Sequence, residues 1–139
     1  ALVALAGPLS NIFLASIFVF AYFVIIYAFG GAYEGTFSSN LAIICSLAAS
    51  CNTTLAVFNL LPVPPLDGSR IFGAFLPDKI YYKLQSLERY AFFILIALSM
   101  TGILSNVFGF IGEYIFIAVY FITSLPFSLL GINMPFTGL

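Results

Sequence analysis

Four apolar runs, separated by short polar breaks, account for most of the chain. They cover residues 9–29, 40–61, 90–104 and 114–130. A helix rises about 1.5 Å per residue, so the first run is long enough to cross the roughly 30 Å hydrocarbon core of a bilayer. The runs are continuous rather than alternating, which favours helices over the strands of a membrane barrel. The pattern predicts an all-α, polytopic transmembrane bundle of three to four membrane helices.

The breaks between the runs predict where the chain turns. Three prolines within residues 62–65 end the second run, and polar or glycine positions over residues 105–113 separate the last two runs. The run over 90–104 is predicted to cross the membrane, whereas the run over 114–130 is predicted either to return or to lie partly in the interface. The whole chain, residues 1–139, is predicted to form a single transmembrane domain.

The composition excludes several classes of protein. Hydrophobic residues make up 63% of the chain and charged residues 6%, against about 25% charged in a typical soluble domain. A soluble monomer is therefore excluded. Four Lys and Arg residues cannot neutralise a phosphate backbone, which excludes a nucleic-acid partner. The chain has no histidine, so the commonest metal ligand and general base is missing.

The positive charge is confined to one connector, residues 62–89. It holds all four basic residues, Arg70, Lys79, Lys83 and Arg89. By the positive-inside rule this connector is predicted to face the cytoplasm. The default interpretation of its charge is the solvated face of a short amphipathic helix, with Tyr81, Tyr82, Leu84 and Leu87 on the membrane-facing side.

Asp67 differs from the other charged residues in its immediate sequence, because it directly follows the proline-rich segment. It lies in the segment NLLPVPPLDGSRI, in which the prolines force the backbone out of a helix and Gly68 permits a turn. A carboxylate on such a proline-rich loop could bind a hard or borderline cation. The alternative is that Asp67 is the N-cap of a helix over residues 68–75. The residues alone favour neither interpretation.

Two further positions are candidates for the same site. Asn59 ends the second run, and its amide could satisfy a polar contact between helices, bind a substrate backbone or stabilise an oxyanion. The segment AGPLSN, residues 6–11, places Pro8 near a helix start, where proline is permitted. Gly7 and Ser10 would give that helix a small face for close packing. A capped, well-packed helix start is sufficient to explain this segment.

Taken together, AGPLSN and NLLPVPPLDG resemble the motifs of the site-2 protease family of intramembrane zinc metalloproteases. The matching patterns are Ala-Gly-Pro-x-x-Asn at residues 6–11 and Asn-x-x-Pro-x-x-x-Leu-Asp-Gly at residues 59–68. The resemblance is closest to small prokaryotic members without a PDZ domain, and it extends over essentially the whole chain. A structural role around the site is expected for further residues of these two segments: Gly7, Pro8, Asn11, Pro62, Pro65 and Gly68.

The resemblance implies a function and a site. In this family a zinc ion is held by two histidines of an HExxH helix and by the aspartate of the LDG motif, which corresponds to Asp67. The motif asparagine corresponds to Asn59, with an implied role in binding substrate or supporting the transition state. The implied partners are the lipid bilayer and membrane-embedded protein or peptide substrates, and the implied location is a prokaryotic cytoplasmic membrane.

One departure from the family pattern is large, because HExxH is absent and the chain has no histidine at all. We therefore expect the chain to be the C-terminal portion of a longer protease, unable by itself to bind catalytic zinc tightly or to cleave substrates. One alternative is a catalytically inactive pseudoprotease that binds membrane partners. Another is a transporter or channel in which Asp67 or Glu113 lies on an ion path.

Overall fold

The computed structural model describes residues 2–29, 37–63 and 66–132. Within these residues the chain is entirely helical, with no β-strand. The helices are α1 (Leu2–Ala28), α2 (Phe37–Leu60), α3 (Asp67–Gly73), α4 (Asp78–Ser86), α5 (Ala91–Met100) and α6 (Ile103–Leu129), and a 3-10 turn (Leu87–Tyr90) joins α4 to α5. The predicted all-α class is confirmed.

Three of these helices are long and apolar enough to cross a membrane: Val3–Ala28, Phe37–Leu60 and Ile103–Leu129. The first two lie close to the runs predicted from hydrophobicity. Their outward faces carry large apolar side chains, such as Phe13, which is 66% exposed. Exposed apolar faces of this extent are unfavourable in water and suit contact with lipid.

The second half of the chain differs from the prediction. Helix α5 has ten residues, which corresponds to about 15 Å, half of the hydrocarbon thickness. The break after it comes at Gly102, whose φ of 74° is left-handed, rather than over residues 105–113. The predicted break over 105–113 is wrong, because α6 continues through all of these positions.

Ser105, one of the polar residues in the predicted break, helps to start α6 instead of ending a helix. Its hydroxyl donates a hydrogen bond to the Gly102 carbonyl at 2.7 Å, and the same carbonyl accepts the helical backbone N–H of Asn106 at 3.2 Å. Gly109 and Gly112 are tolerated inside the helix, where the positions that side chains would occupy are open.

The chain divides into two compact units, and each of the three long helices contributes to both. One unit comprises Ile12–Thr53 and Tyr114–Leu139. Its described core packs α1, α2 and α6 around Phe23, whose ring meets Tyr120 edge-on at 5.0 Å and Phe127 at 5.5 Å. Ala15 and Ala49 are fully buried in this core, and such small residues let helix backbones approach closely.

The other unit comprises Ala1–Asn11 and Thr54–Glu113. It contains the start of α1, the end of α2, helices α3 to α5 and the start of α6. Phe58 of α2 stacks on Phe108 of α6 with ring centroids 6.1 Å apart. Every described residue of the two sequence motifs lies in this unit.

Candidate functional site

Asn59 lies in the last turn of α2, where its side chain is half-buried. The helix ends one residue later, and the Leu61 amide still donates a hydrogen bond to the Phe58 carbonyl at 3.1 Å. Pro62 follows with an exposed side chain, whereas Pro65 lies outside the described residues. Asn59 therefore lies at the end of α2 that precedes α3.

Asp67 is the first residue of α3, and its side chain is half-buried. The N-cap position belongs to Leu66, whose backbone is extended at φ −69° and ψ 153°. Ser69 bonds the Leu66 carbonyl twice, through its amide at 3.1 Å and its hydroxyl at 2.7 Å. The alternative in which Asp67 caps the helix is therefore wrong, because Asp67 is already helical.

Gly68 brings α3 against the end of α2. It is buried, and a methyl group in place of its hydrogen would collide with the backbone carbonyl oxygens of Leu60 and Leu61. Only glycine lets the first turn of α3 lie directly on the last turn of α2. Since Asp67 precedes Gly68 and Asn59 precedes Leu60, this contact also brings the carboxylate and the amide together.

Helix α1 supplies the third side of the site at Gly7. A methyl group on Gly7 would lie 2.5 Å from Asp67 Oδ2, 3.6 Å from Asp67 Cγ and 3.9 Å from Asn59 Nδ2. Gly7, Asn59 and Asp67, drawn from three helices, therefore surround one point. The structure brings together three of the residues that the sequence motifs single out.

The neighbouring motif residues of α1 are placed differently from one another. Pro8 is buried inside the helix, so the prediction that it lies near a helix start is wrong, because α1 already begins at Leu2. Proline has no N–H with which to bond the Ala4 carbonyl. The Ser10 hydroxyl donates to the Gly7 carbonyl at 2.8 Å. Asn11 is half-buried, one helical turn after Gly7 and on the same face.

Helix α4 packs against α3 through Tyr81. Its ring atoms Cε2 and Cδ2 lie 2.6 and 2.7 Å from the position that a methyl group on Gly73 would take. Tyr81 therefore covers α3, where the sequence predicted a membrane-facing side chain. Lys79 and Lys83 are exposed, in agreement with a solvated face. No pattern in the sequence predicts this contact, or the two hydrogen bonds of Ser69 to the Leu66 carbonyl.

The donor groups at the site fit one part of a metal centre. The Asp67 carboxylate is an oxygen ligand suited to zinc or a harder cation. Within the described residues, no three His, Cys, Asp or Glu side chains come together. Among the described residues, the groups shown at this point are therefore the Asp67 carboxylate and the nearby Asn59 amide.

Comparison with known proteins assigns the family. Residues 1–102 match the family model described as Peptidase family M50. The chain belongs to this family, that of the site-2 proteases. It is 39% identical over 106 residues to a Bacillus subtilis (strain 168) protein named "Putative zinc metalloprotease YwhC". That alignment covers 76% of this chain and 48% of the relative, so the chain spans about half the length of the curated relative. No solved structure matches.

Proposed function

We propose that this M50 chain is part of an intramembrane zinc endopeptidase that hydrolyses peptide bonds of membrane-embedded proteins or peptides. The observation that carries the proposal is the convergence of Asp67 Oδ2 and Asn59 Nδ2 within 4 Å of one point beside Gly7. A carboxylate and an amide at one point, in an M50 chain, are suited to metal binding and to amide hydrolysis.

In this proposal Asp67 is one of three protein ligands of zinc. The others are the two histidines of an HExxH helix in the full-length protein, since this chain has no histidine. The chemistry that zinc contributes at such a site is Lewis acidity, which makes water nucleophilic near neutral pH. Asp67 would hold its carboxylate at a fixed place because Gly68 fixes the start of α3 on α2.

Asn59 would act on the substrate. Its amide N–H can donate to a substrate carbonyl, either to align an extended strand or to stabilise the oxyanion of the tetrahedral intermediate. A transmembrane substrate helix must unwind first, because its carbonyls are engaged in its own hydrogen bonds. The half-buried position of Asn59 would leave one side of the amide available to such a strand.

The membrane arrangement is proposed on the same basis. The three long apolar helices would cross a prokaryotic cytoplasmic membrane, with the basic connector, residues 62–89, on the cytoplasmic side. The exposed Lys79, Lys83 and Arg89 support this orientation. Asp67 follows the end of α2 closely, which would place the reaction near the cytoplasmic surface.

The proposal is tested by reconstituting the full-length protein in liposomes with a single-span membrane substrate. We expect cleavage that stops when a zinc chelator is added and returns when zinc is restored, because the nucleophile depends on the metal. Gel analysis and mass spectrometry of the products locate the cut. Binding of the substrate without any cleavage would support a pseudoprotease instead, and so contradict the proposal.

Replacing Asn59 by alanine separates substrate chemistry from metal binding. Loss of a single oxyanion donor typically lowers kcat by about 10²–10³-fold, so we expect Asn59→Ala to lower kcat by this amount at unchanged zinc affinity. A rise in KM at constant kcat would instead indicate uniform binding of the substrate strand. Unchanged kcat and KM would contradict any role of Asn59 in catalysis.

A further inference from the structure

Gly7 lies at a position where glycine is unfavourable, inside the long helix α1. Glycine in a helix interior lowers helix stability relative to alanine, because more conformational freedom is lost on folding. The structure shows what occupies the space left by the missing side chain. At Gly109 and Gly112 of α6 that space is open, whereas at Gly7 it is filled by the Asp67 carboxylate.

The carboxylate approaches Gly7 end-on. Its Oδ2 is 2.5 Å from the position of a methyl group on Gly7, and its Cγ is 3.6 Å away. The oxygen is therefore closer by almost the length of a C–O bond, which means that the Cγ–Oδ2 bond points at α1. The other carboxylate oxygen lies at least 3.9 Å from the same point, so only Oδ2 rests against α1.

We propose that Gly7 is a positioning residue that sets the orientation of the Asp67 carboxylate for metal binding. The inference rests on the proposed function, because it assumes that Asp67 is a zinc ligand. By lacking a side chain, Gly7 lets Oδ2 rest against α1 and leaves the second oxygen directed at the metal. The site therefore depends on the absence of a side chain at Gly7 of α1 as well as on the aspartate of α3.

The expected consequence of a side chain at position 7 follows from these distances. In Gly7→Ala, Oδ2 must retreat by about 1 Å to reach ordinary van der Waals separation from the new methyl group. A misplacement of about 1 Å can lower catalytic rates by about 100-fold. Supporting groups around a metal typically affect affinity by about 10–100-fold. We therefore expect losses of this size in both zinc affinity and kcat/KM.

The experiment uses the full-length protein and measures the zinc dissociation constant by chelator competition, together with Tm and proteolysis. Gly112→Ala is the matched control, because it makes the same chemical change where the added methyl group meets open space. We expect Gly7→Ala to weaken zinc binding by about 10–100-fold and Gly112→Ala to leave it unchanged. Equal zinc affinity in wild type and Gly7→Ala would overturn the inference.

A double-mutant cycle distinguishes positioning of the carboxylate from general damage to the helix. Asp67→Ala removes the group that Gly7 contacts, so adding Gly7→Ala to it should weaken zinc binding no further. The double variant should also fold, since the crowded space is then empty. An additional loss of affinity in the double variant, or its failure to fold, would show that Gly7 acts on the fold and would overturn the inference.

The two proposals fail in different ways. If Asp67→Ala binds zinc as tightly as the wild type, the proposed metal site is wrong and the inference falls with it. If Asp67→Ala loses zinc affinity while Gly7→Ala retains it, the metal site stands and only the positioning role of Gly7 is wrong.

Discussion

Asp67→Asn in the full-length protein is expected to abolish cleavage of a membrane-embedded substrate, lowering kcat/KM by more than about 100-fold. The substitution keeps the size of the side chain and removes its negative charge. Groups that merely support a metal ligand affect activity or affinity by about 10–100-fold, so loss of the ligand itself should cost more. The measurement is initial-rate cleavage in liposomes with saturating zinc.

Glu113→Gln is the matched control for Asp67→Asn. It makes the same carboxylate-to-amide change, but Glu113 is exposed on α6. We expect wild-type cleavage from this variant. The pair also tests the transporter alternative, which requires ion flux through liposomes carrying the protein and loss of that flux in Glu113→Gln. Cleavage retained in Asp67→Asn would contradict the assignment of Asp67.

Gly68→Ala is expected to be the most damaging small substitution in the site. The added methyl group would collide with the backbone carbonyls of Leu60 and Leu61, and backbone cannot rotate away as a side chain can. Forcing extra atoms into a packed site typically costs about 1–3 kcal/mol, and occasionally more. We expect the upper end of this range, because α3 must move off α2. Cleavage should be lost with the stability.

The measurement is the unfolding free energy of the full-length protein in detergent, with cleavage assayed in parallel. Gly73→Ala is the comparison, because its methyl group would meet only the Tyr81 ring, which is a side chain and can shift. We expect Gly73→Ala to lose less stability than Gly68→Ala and to retain cleavage. Equal stability of Gly68→Ala and wild type would show that α3 does not depend on close contact with α2.

The helices could be predicted from sequence where hydrophobicity alone decides them. Continuous apolar runs placed α1 and α2 to within a few residues, except that α1 begins earlier, at Leu2. Pro8 predicts a nearby helix start, but this proline is buried within α1. The polar pattern predicts a break at Ser105 and Asn106, whereas α6 continues through both. The Ser105 hydroxyl bonds the Gly102 carbonyl and so supports the first turn of α6.

The sequence predicts which residues belong to the candidate site, but it does not predict how they are arranged in space. The motifs singled out Asn59 and Asp67 by residue type and by their proline-rich setting, and the resemblance supplied their roles. Their proximity depends on how Gly68 lies against the α2 carbonyls. The spacing of the two residues along the chain does not predict this contact. Gly7 is distant along the chain, and its contact with Asp67 follows only from the tertiary packing of α1.

Whether Asp67 is a protein ligand of zinc is decided most directly by the zinc dissociation constant of the full-length protein. Chelator competition should be performed on wild type, Asp67→Asn and Glu113→Gln at equal concentration and pH. We expect at least about 100-fold weaker zinc binding in Asp67→Asn and wild-type zinc binding in Glu113→Gln. Zinc bound with wild-type affinity by folded Asp67→Asn would contradict the role of Asp67 as a zinc ligand.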